Sequence, residues 1–177
     1  MRLALSLVAV LLCTACSGYH LGPVKPKAMK NVQRLCVKNF KNDTLEPRME
    51  VLLANALIKQ LHLDGTYEIT DESRADAILQ GTLTHINRIP ARALRGNTLQ
   101  STEYLLTLRS TYRLTEARTD RLIDQRAVQG TTSFFVSGGS TGQDLITADS
   151  NRDERQAIPL AAENLAVQIA SLVSEGW

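Results

Sequence analysis

The chain has 177 residues, a formal net charge of +2, 21% charged residues and only 5% aromatics. That length gives one domain of ordinary size, large enough to bury a real core. The near-neutral balance excludes the strongly basic face that a nucleic-acid partner requires.

Met1 and Arg2 give a short positive start, and residues 3–12 are apolar apart from Ser6. Thr14 and Ala15 are small, and Cys16 follows. A charged start, an apolar run of about ten residues and a small-residue exit read as a secretory signal. The run falls short of the ~20 residues that cross a bilayer. No later stretch reads as apolar enough to do so. The small pair before Cys16 resembles the bacterial lipobox, in which a cysteine thiol receives a diacylglyceryl group. Cys13 stands where that pattern usually has Leu, and it is small and apolar enough to fit. A CxxC redox or metal pair is the rival reading of Cys13 and Cys16. It is disfavoured because the pair closes an apolar leader and cleavage separates the thiols. The expected organisation is therefore a lipoprotein signal peptide at 1–15, an acylated N-terminus and tether at 16–30, and a periplasmic domain at 31–177. Ser17 rather than Asp after the cysteine favours anchoring at the periplasmic face of the outer membrane. Several acyl chains would hold the protein far more firmly than one, at roughly 0.8 kcal/mol per buried methylene.

Residues 22–30 (GPVKPKAMK) carry two prolines and three lysines without an apolar period, the composition of an extended, solvated linker. Residues 34–40 (RLCVKNF) read as a short strand in which Cys36 is a buried hydrophobe. Residues 41–44 read as a turn, and Glu46-Pro47 opens a helix. Met49, Leu52, Leu53, Ala56, Leu57 and Leu61 share one face at helical period, and Asp64-Gly65 ends the element. Tyr67 and Ile69 mark a second strand. A third runs from Ala75 to Ile89, where Pro90 stops it, and residues 91–99 read as a loop. Residues 103–115 alternate most clearly: Tyr104, Leu106, Leu108, Ser110, Tyr112 and Leu114 point one way, with Arg109, Thr111 and Arg113 on the other. A turn near Thr119-Asp120 leads to a partner strand over 127–136, with Val128 and Phe134 on one face. The Gly/Ser-rich stretch 137–147 reads as a flexible connection, since it lacks the Lys-Ser/Thr of a phosphate loop. A last helix spans about 151–174, capped by Ser150, with Pro159 kinking it or marking its start. This order predicts an α/β (α+β) two-layer sandwich: a largely antiparallel or mixed sheet of four to five strands with two amphipathic helices on one face.

Four stretches resemble one family. Cys16-Ser17-Gly18-Tyr19-His20-Leu21-Gly22 is similar to the opening of the LPS-assembly lipoproteins, the LptE family. So is Asn39-Phe40-x-Asn42-x-Thr44-x-Glu46-Pro47-x-x-Glu50, where a first strand turns into a first helix. Residues 75–81 (ADAILQG) resemble the family's central strand, and residues 161–166 (AAENLA) its terminal helix. The resemblance implies a non-enzymatic lipoprotein that plugs a β-barrel translocon of the LptD type and assists delivery of lipopolysaccharide to the outer leaflet. It carries no cofactor. An adaptor lipoprotein for a cell-wall synthase or a lipid-transport complex is the alternative.

A lipopolysaccharide ligand brings phosphates, and the planar fork of Arg donates two parallel hydrogen bonds to such groups. The densest arginine cluster is Arg88, Arg92 and Arg95, in the expected loop after the third strand, and these are the candidate lipopolysaccharide contacts. Cys16 is the candidate lipidation site. Arg109, Arg113 and Arg126 are expected as surface charge on wet strand faces. His20, His62 and His85 have no metal spacing, His62 being placed to touch its own helix terminus near Asp64, and no GxSxG elbow occurs. No catalytic or metal residues are assigned.

Overall fold

The computed structural model describes residues 25–94, 97–136 and 146–175. Six strands form one mixed sheet: β1 (Arg34–Val37), β2 (Lys41–Asn42), β3 (Glu68–Ile69), β4 (Ala77–Leu94), β5 (Asn97–Glu116) and β6 (Leu122–Phe135). Two helices, α1 (Met49–Asp64) and α2 (Ile146–Glu175), pack against each other on one face. The sheet order is β3-β1-β4-β5-β6, with β2 pairing β4 beyond the end of β1. β1 is parallel to β3 and to β4, whereas β4–β5 and β5–β6 are antiparallel. The α+β two-layer sandwich is thus as the sequence predicts. The sixth strand, one more than expected, is β2, which occupies residues read as a turn.

β5 keeps its period of two. Leu106, Leu108, Ser110, Tyr112 and Leu114 are buried toward the helices, while Arg109, Thr111 and Arg113 are exposed on the opposite face. Leu53, Leu57 and Leu61 of α1 and Leu165, Ile169 and Val173 of α2 complete the core. Each large aliphatic chain so buried stabilises the fold by about 1.5–3 kcal/mol, as an upper figure. Gly65 ends α1 at φ +69°, its N–H donating to Leu61 O at 3.1 Å, which is the left-handed cap expected there. α1 begins at Met49, with Glu46 and Pro47 in the turn before it.

Small residues let α2 lie close to the sheet. Ala157, Ala161, Ala162, Ala166 and Ala170 are buried along it. At Gly130 of β6 an added Cβ would stand 2.6 Å from Ala161 O and 2.6 Å from Leu165 Cβ, so the helix backbone rests directly on the strand. The 23 residues from Asp153 to Glu175 are long and apolar enough to cross a membrane, contrary to the reading of the sequence. More than half of that apolar window, 56%, is buried inside the domain, which explains its composition as that of a core helix.

Four boundaries differ from expectation for physical reasons. Pro90 does not end β4. It sits inside the strand, opposite Tyr104 of β5, and among the described residues β4 has no neighbour on its other side at that height, because β1 and β2 pair only with residues 77–79 and 82–83. A proline without an N–H is tolerated where no second ladder needs one. Residues 91–94 and 97–99, expected as loop, therefore extend the β4–β5 hairpin. Ser150 is not a cap, since α2 already begins at Ile146 and runs through Pro159 without a break in assignment. From Lys25 onward the expected linker folds onto the domain. Residues Lys27–Met29 form a 3-10 turn, Met29 is 1% exposed, and Lys25 Nζ donates to Val32 O at 2.7 Å while lying 4.7 Å from the centre of the Tyr67 ring.

Candidate functional site

The residues that carry the sequence motifs are engaged in holding elements together. Asn42 Nδ2 donates to Glu46 O at 2.7 Å and to Glu50 Oε2 at 3.1 Å. Its Oδ1 accepts from Thr44 N at 3.1 Å and from Thr44 Oγ1 at 2.6 Å. One amide thus ties β2, the following turn and the first turn of α1 into a unit, the local geometry that an Asx turn favours. Phe40 lies across Gly81 of β4, where an added Cβ would come within 2.6 Å of the ring. Asp76 accepts from Arg34 N at 2.9 Å, Gln33 N at 3.2 Å and Arg34 Nη2 at 3.0 Å. The Arg34 side chain and then its backbone N–H pull the Asp76 carboxyl down to about 2. On α2, Asn164 Nδ2 donates to Thr131 O at 2.9 Å, and Glu163 pairs with Lys59 of α1 at 3.2 Å.

Of the three candidate arginines, Arg88 is the one whose side chain is described. Thr84 is a bulge: Leu83 pairs with Ser110 and His85 with Arg109, which reverses the alternation of everything beyond. Ile86 and Arg88 consequently face the helix layer. Arg88 pairs with Glu154 of α2 and, at 3.5 Å, with Glu46 of the β2–α1 turn, so its charge is already used in closing the sandwich. It does not lie in a loop. The backbone of Arg92 lies in β4 in register with Glu103, near the hairpin tip. Arg95 lies outside the described residues, as do Cys16 and His20.

The second set divides as well. Arg109 and Arg113 are exposed on the outer sheet face as expected. Arg126 is not on that face. Its register partner is the buried Tyr112, and it pairs with Asp124 at 3.1 Å on the helix side. Asp124 also accepts the Tyr112 hydroxyl at 2.6 Å, and burial followed by that contact drives the phenol well above its ordinary range. His62 touches its own helix, Nδ1 lying 2.9 Å from Ile58 O, while Asp64 accepts from Ser174 Oγ at 2.7 Å instead. Among the described residues no three His, Cys, Asp or Glu side chains gather as a metal site would require.

On the outer face a polar groove of about 360 Å³ is lined by Lys38, Lys41, Gln80, Thr82, Arg113 and Gln125, among others. Lys38 pairs with Glu72 at 2.7 Å. Sequence reading treated Lys41 as part of a turn. Its place beside Thr82 depends on β2 joining the sheet, a pairing between residues 41 positions apart that no local pattern signals.

Comparison with known proteins places this architecture. No curated protein matches the chain significantly. Among solved structures, it is similar to PelC from Paraburkholderia phytofirmans, solved as a dodecamer, at a TM-score of 0.52 and 13% identity, covering 85% of this chain and 94% of that one. It is similar to XCC0632 from Xanthomonas campestris at a TM-score of 0.55 and 12% identity, covering 81% and 85%. These likenesses concern the fold alone. The rare lipoprotein B of Shewanella oneidensis aligns at 0.44 and 14% identity, covering 80% and 90%. The LptE lipopolysaccharide-assembly profile matches residues 32–172, a span that takes in β1 through nearly all of α2. The chain belongs to the LptE family of lipopolysaccharide-assembly lipoproteins.

Proposed function

We propose that the protein is anchored by acylated Cys16 to the periplasmic face of the outer membrane, plugs an LptD-type β-barrel and assists delivery of lipopolysaccharide to the outer leaflet. The match of residues 32–172 to the lipopolysaccharide-assembly family carries this reading. The chain acts by binding and positioning, and it needs no cofactor.

The docked start of the domain supports a definite orientation. Nine residue steps separate Cys16 from Lys25. Fully extended they reach about 30 Å, at ~3.3–3.6 Å per residue. The end of the sheet that holds Lys25, Met29 and Tyr67 therefore stays within that distance of the headgroups. β4 climbs away from this end over 18 residues, roughly 60 Å at ~3.3 Å each. The backbone of Arg92 is then carried near the far end, and the hairpin points along the barrel axis toward the outer leaflet. Arg88 is a brace for that hairpin, whereas Arg92 and Arg95 serve the phosphates of the glycolipid.

Depletion of the protein followed by a surface assay for lipopolysaccharide tests the task. Loss of surface glycolipid is expected, and undiminished surface display sinks the proposal. Co-purification separates the reading from the adaptor alternative: a tight complex with a large barrel supports the plug, and recovery with a cell-wall enzyme and no barrel supports the adaptor. Arg92→Ala/Arg95→Ala, with Arg88 left intact to brace the hairpin, is expected to weaken lipopolysaccharide binding at unchanged fold.

A further inference from the structure

Among the described residues no helix covers the outer face of the sheet, and its charge is mostly positive. Between Glu103 and Glu116, β5 has no carboxylate. β4 has none over its whole length, and β6 has none beyond Asp124, which is turned toward Tyr112 on the other side. Arg109 and Arg113 stand exposed on this face without an acidic partner among the described residues, and Lys41 joins them from β2. Other described cations are paired, as in Arg34–Asp76, Lys38–Glu72, Lys59–Glu163, Arg74–Asp71 and Arg121–Glu116, while the exposed Lys27, Lys30, Arg48 and Arg155 have no acidic partner among the described residues but do not gather on one sheet face. Most neighbours of the unpaired ones are neutral hydrogen-bonding groups, Gln80, Thr82, Thr111, Gln125 and Gln129; His85 is in register with Arg109, and Asp43, two residues after Lys41, is the nearby carboxylate at the edge of the face.

We infer that this face docks an acidic protein wall, in which carboxylates meet Arg109, Arg113 and Lys41. The inference rests on the barrel-plug reading and names the surface by which the plug seats. Charge complementarity selects the occupant. Arg109 and Arg113 lie four residues apart on one strand, about 13 Å, a spacing matched by side chains four residues apart on a facing strand. Three strands about 4.8 Å apart, over some eleven residues, present roughly 500 Å² of projected surface, which approaches the ~800 Å² per partner of standard interfaces. The groove of about 360 Å³ on this face is lined chiefly by polar and charged side chains, among them Lys38, Lys41, Gln80, Arg113 and Gln125, which suits a polar partner better than acyl chains. Guanidinium groups without an acidic partner among the described residues can form bidentate pairs with carboxylates.

The test uses the full-length protein and the purified LptD-type barrel from the same cell, both in detergent, with binding measured from 50 to 500 mM salt. Wild type is expected to bind and to weaken as salt rises. Arg109→Glu/Arg113→Glu is expected to bind about 100-fold more weakly, roughly tenfold per reversed charge. Arg155→Glu, exposed on α2 on the other side of the sheet, is expected to stay within about twofold of wild type. The neutral pair Arg109→Gln/Arg113→Gln, verified as folded by its denaturation midpoint, is expected to lose about tenfold and serves if the reversed pair does not fold. Wild-type binding with either double variant unchanged overturns the assignment of this face and leaves the plug reading standing. Failure of wild type to bind the barrel overturns both. In a parallel arm with purified lipopolysaccharide, a double variant that loses glycolipid but keeps the barrel makes this a glycolipid surface and refutes the inference.

Discussion

Replacing Gly130 by Ala tests how the helix layer is seated. Alanine is ordinarily the better residue in a strand, since glycine loses more backbone freedom on folding, by roughly 0.5–1 kcal/mol. Here the new methyl would sit 2.6 Å from Ala161 O and from Leu165 Cβ, and would also meet Leu165 N. Carbon contacts are most favourable at about 3.5–4.0 Å, so α2 must retreat locally by about 1 Å. Two of the three atoms met are helix backbone, so no rotamer change relieves the collision, and Ala161→Gly does not rescue it. The retreat loosens packing around Ala161, Leu165 and Ile169, all fully buried. Overpacking of this kind costs about 1–3 kcal/mol, which outweighs the gain in backbone entropy. For a domain of this size the expected fall in Tm is roughly 2–10 °C, allowing ~2–4 °C per kcal/mol. Urea denaturation followed by circular dichroism measures it directly. A Gly130→Ala protein as stable as wild type, or more so, would refute the close seating of α2 on β6.

Three further outcomes follow from named contacts. Asp76 is held near 2, below an ordinary carboxylate, so its contribution is present above the unfolded value near 4 and is lost as pH falls toward 2; the urea midpoint should drop over that window, and Asp76→Asn should flatten the drop. Tyr67 is pushed up to about 12, burial being the main cause, and its hydroxyl donates to Val173 O at 3.0 Å. Its neutral form therefore stabilises the fold below pH 10, and that stability is lost as pH rises through 12; Tyr67→Phe should cost about 1 kcal/mol near neutrality and remove one late-titrating phenol from an ultraviolet titration. Asn42→Ala removes four hydrogen bonds that join β2 to the entry of α1, and is expected to cost about 1–3 kcal/mol in denaturant; Asn42→Asp, which keeps the accepting oxygen and loses the donor, should cost less than Ala if the turn to Thr44 dominates.

The parts of this fold that local physics dictates were open to reading along the chain. Alternating burial in β5 follows from the two-residue repeat of a strand, and the buried stripe of α1 from the helical repeat. The glycine that ends α1 answers a local need for positive φ. The family motifs were visible too, although their structural work, Asn42 bridging to Glu50 or Phe40 lying on Gly81, became clear only when β2 and β4 were seen side by side. What the tertiary structure alone decided depends on partners far away in sequence. Pro90 remains in β4 because β1 and β2 pair with β4 only before it, at residues 77–79 and 82–83. The bulge at Thr84 turns Arg88 to the helix side and onto Glu154, a residue 66 positions later. Met29 is buried because the end of the sandwich had an apolar place for it, although its neighbours read as linker. Arg109 and Arg113 were legible as wet-face charge, but the lack of carboxylates around them emerges only once three strands are laid in register. Alternation and capping act over a turn or a few residues and so are written in the sequence locally, whereas pairing and charge balance are properties of surfaces that folding assembles.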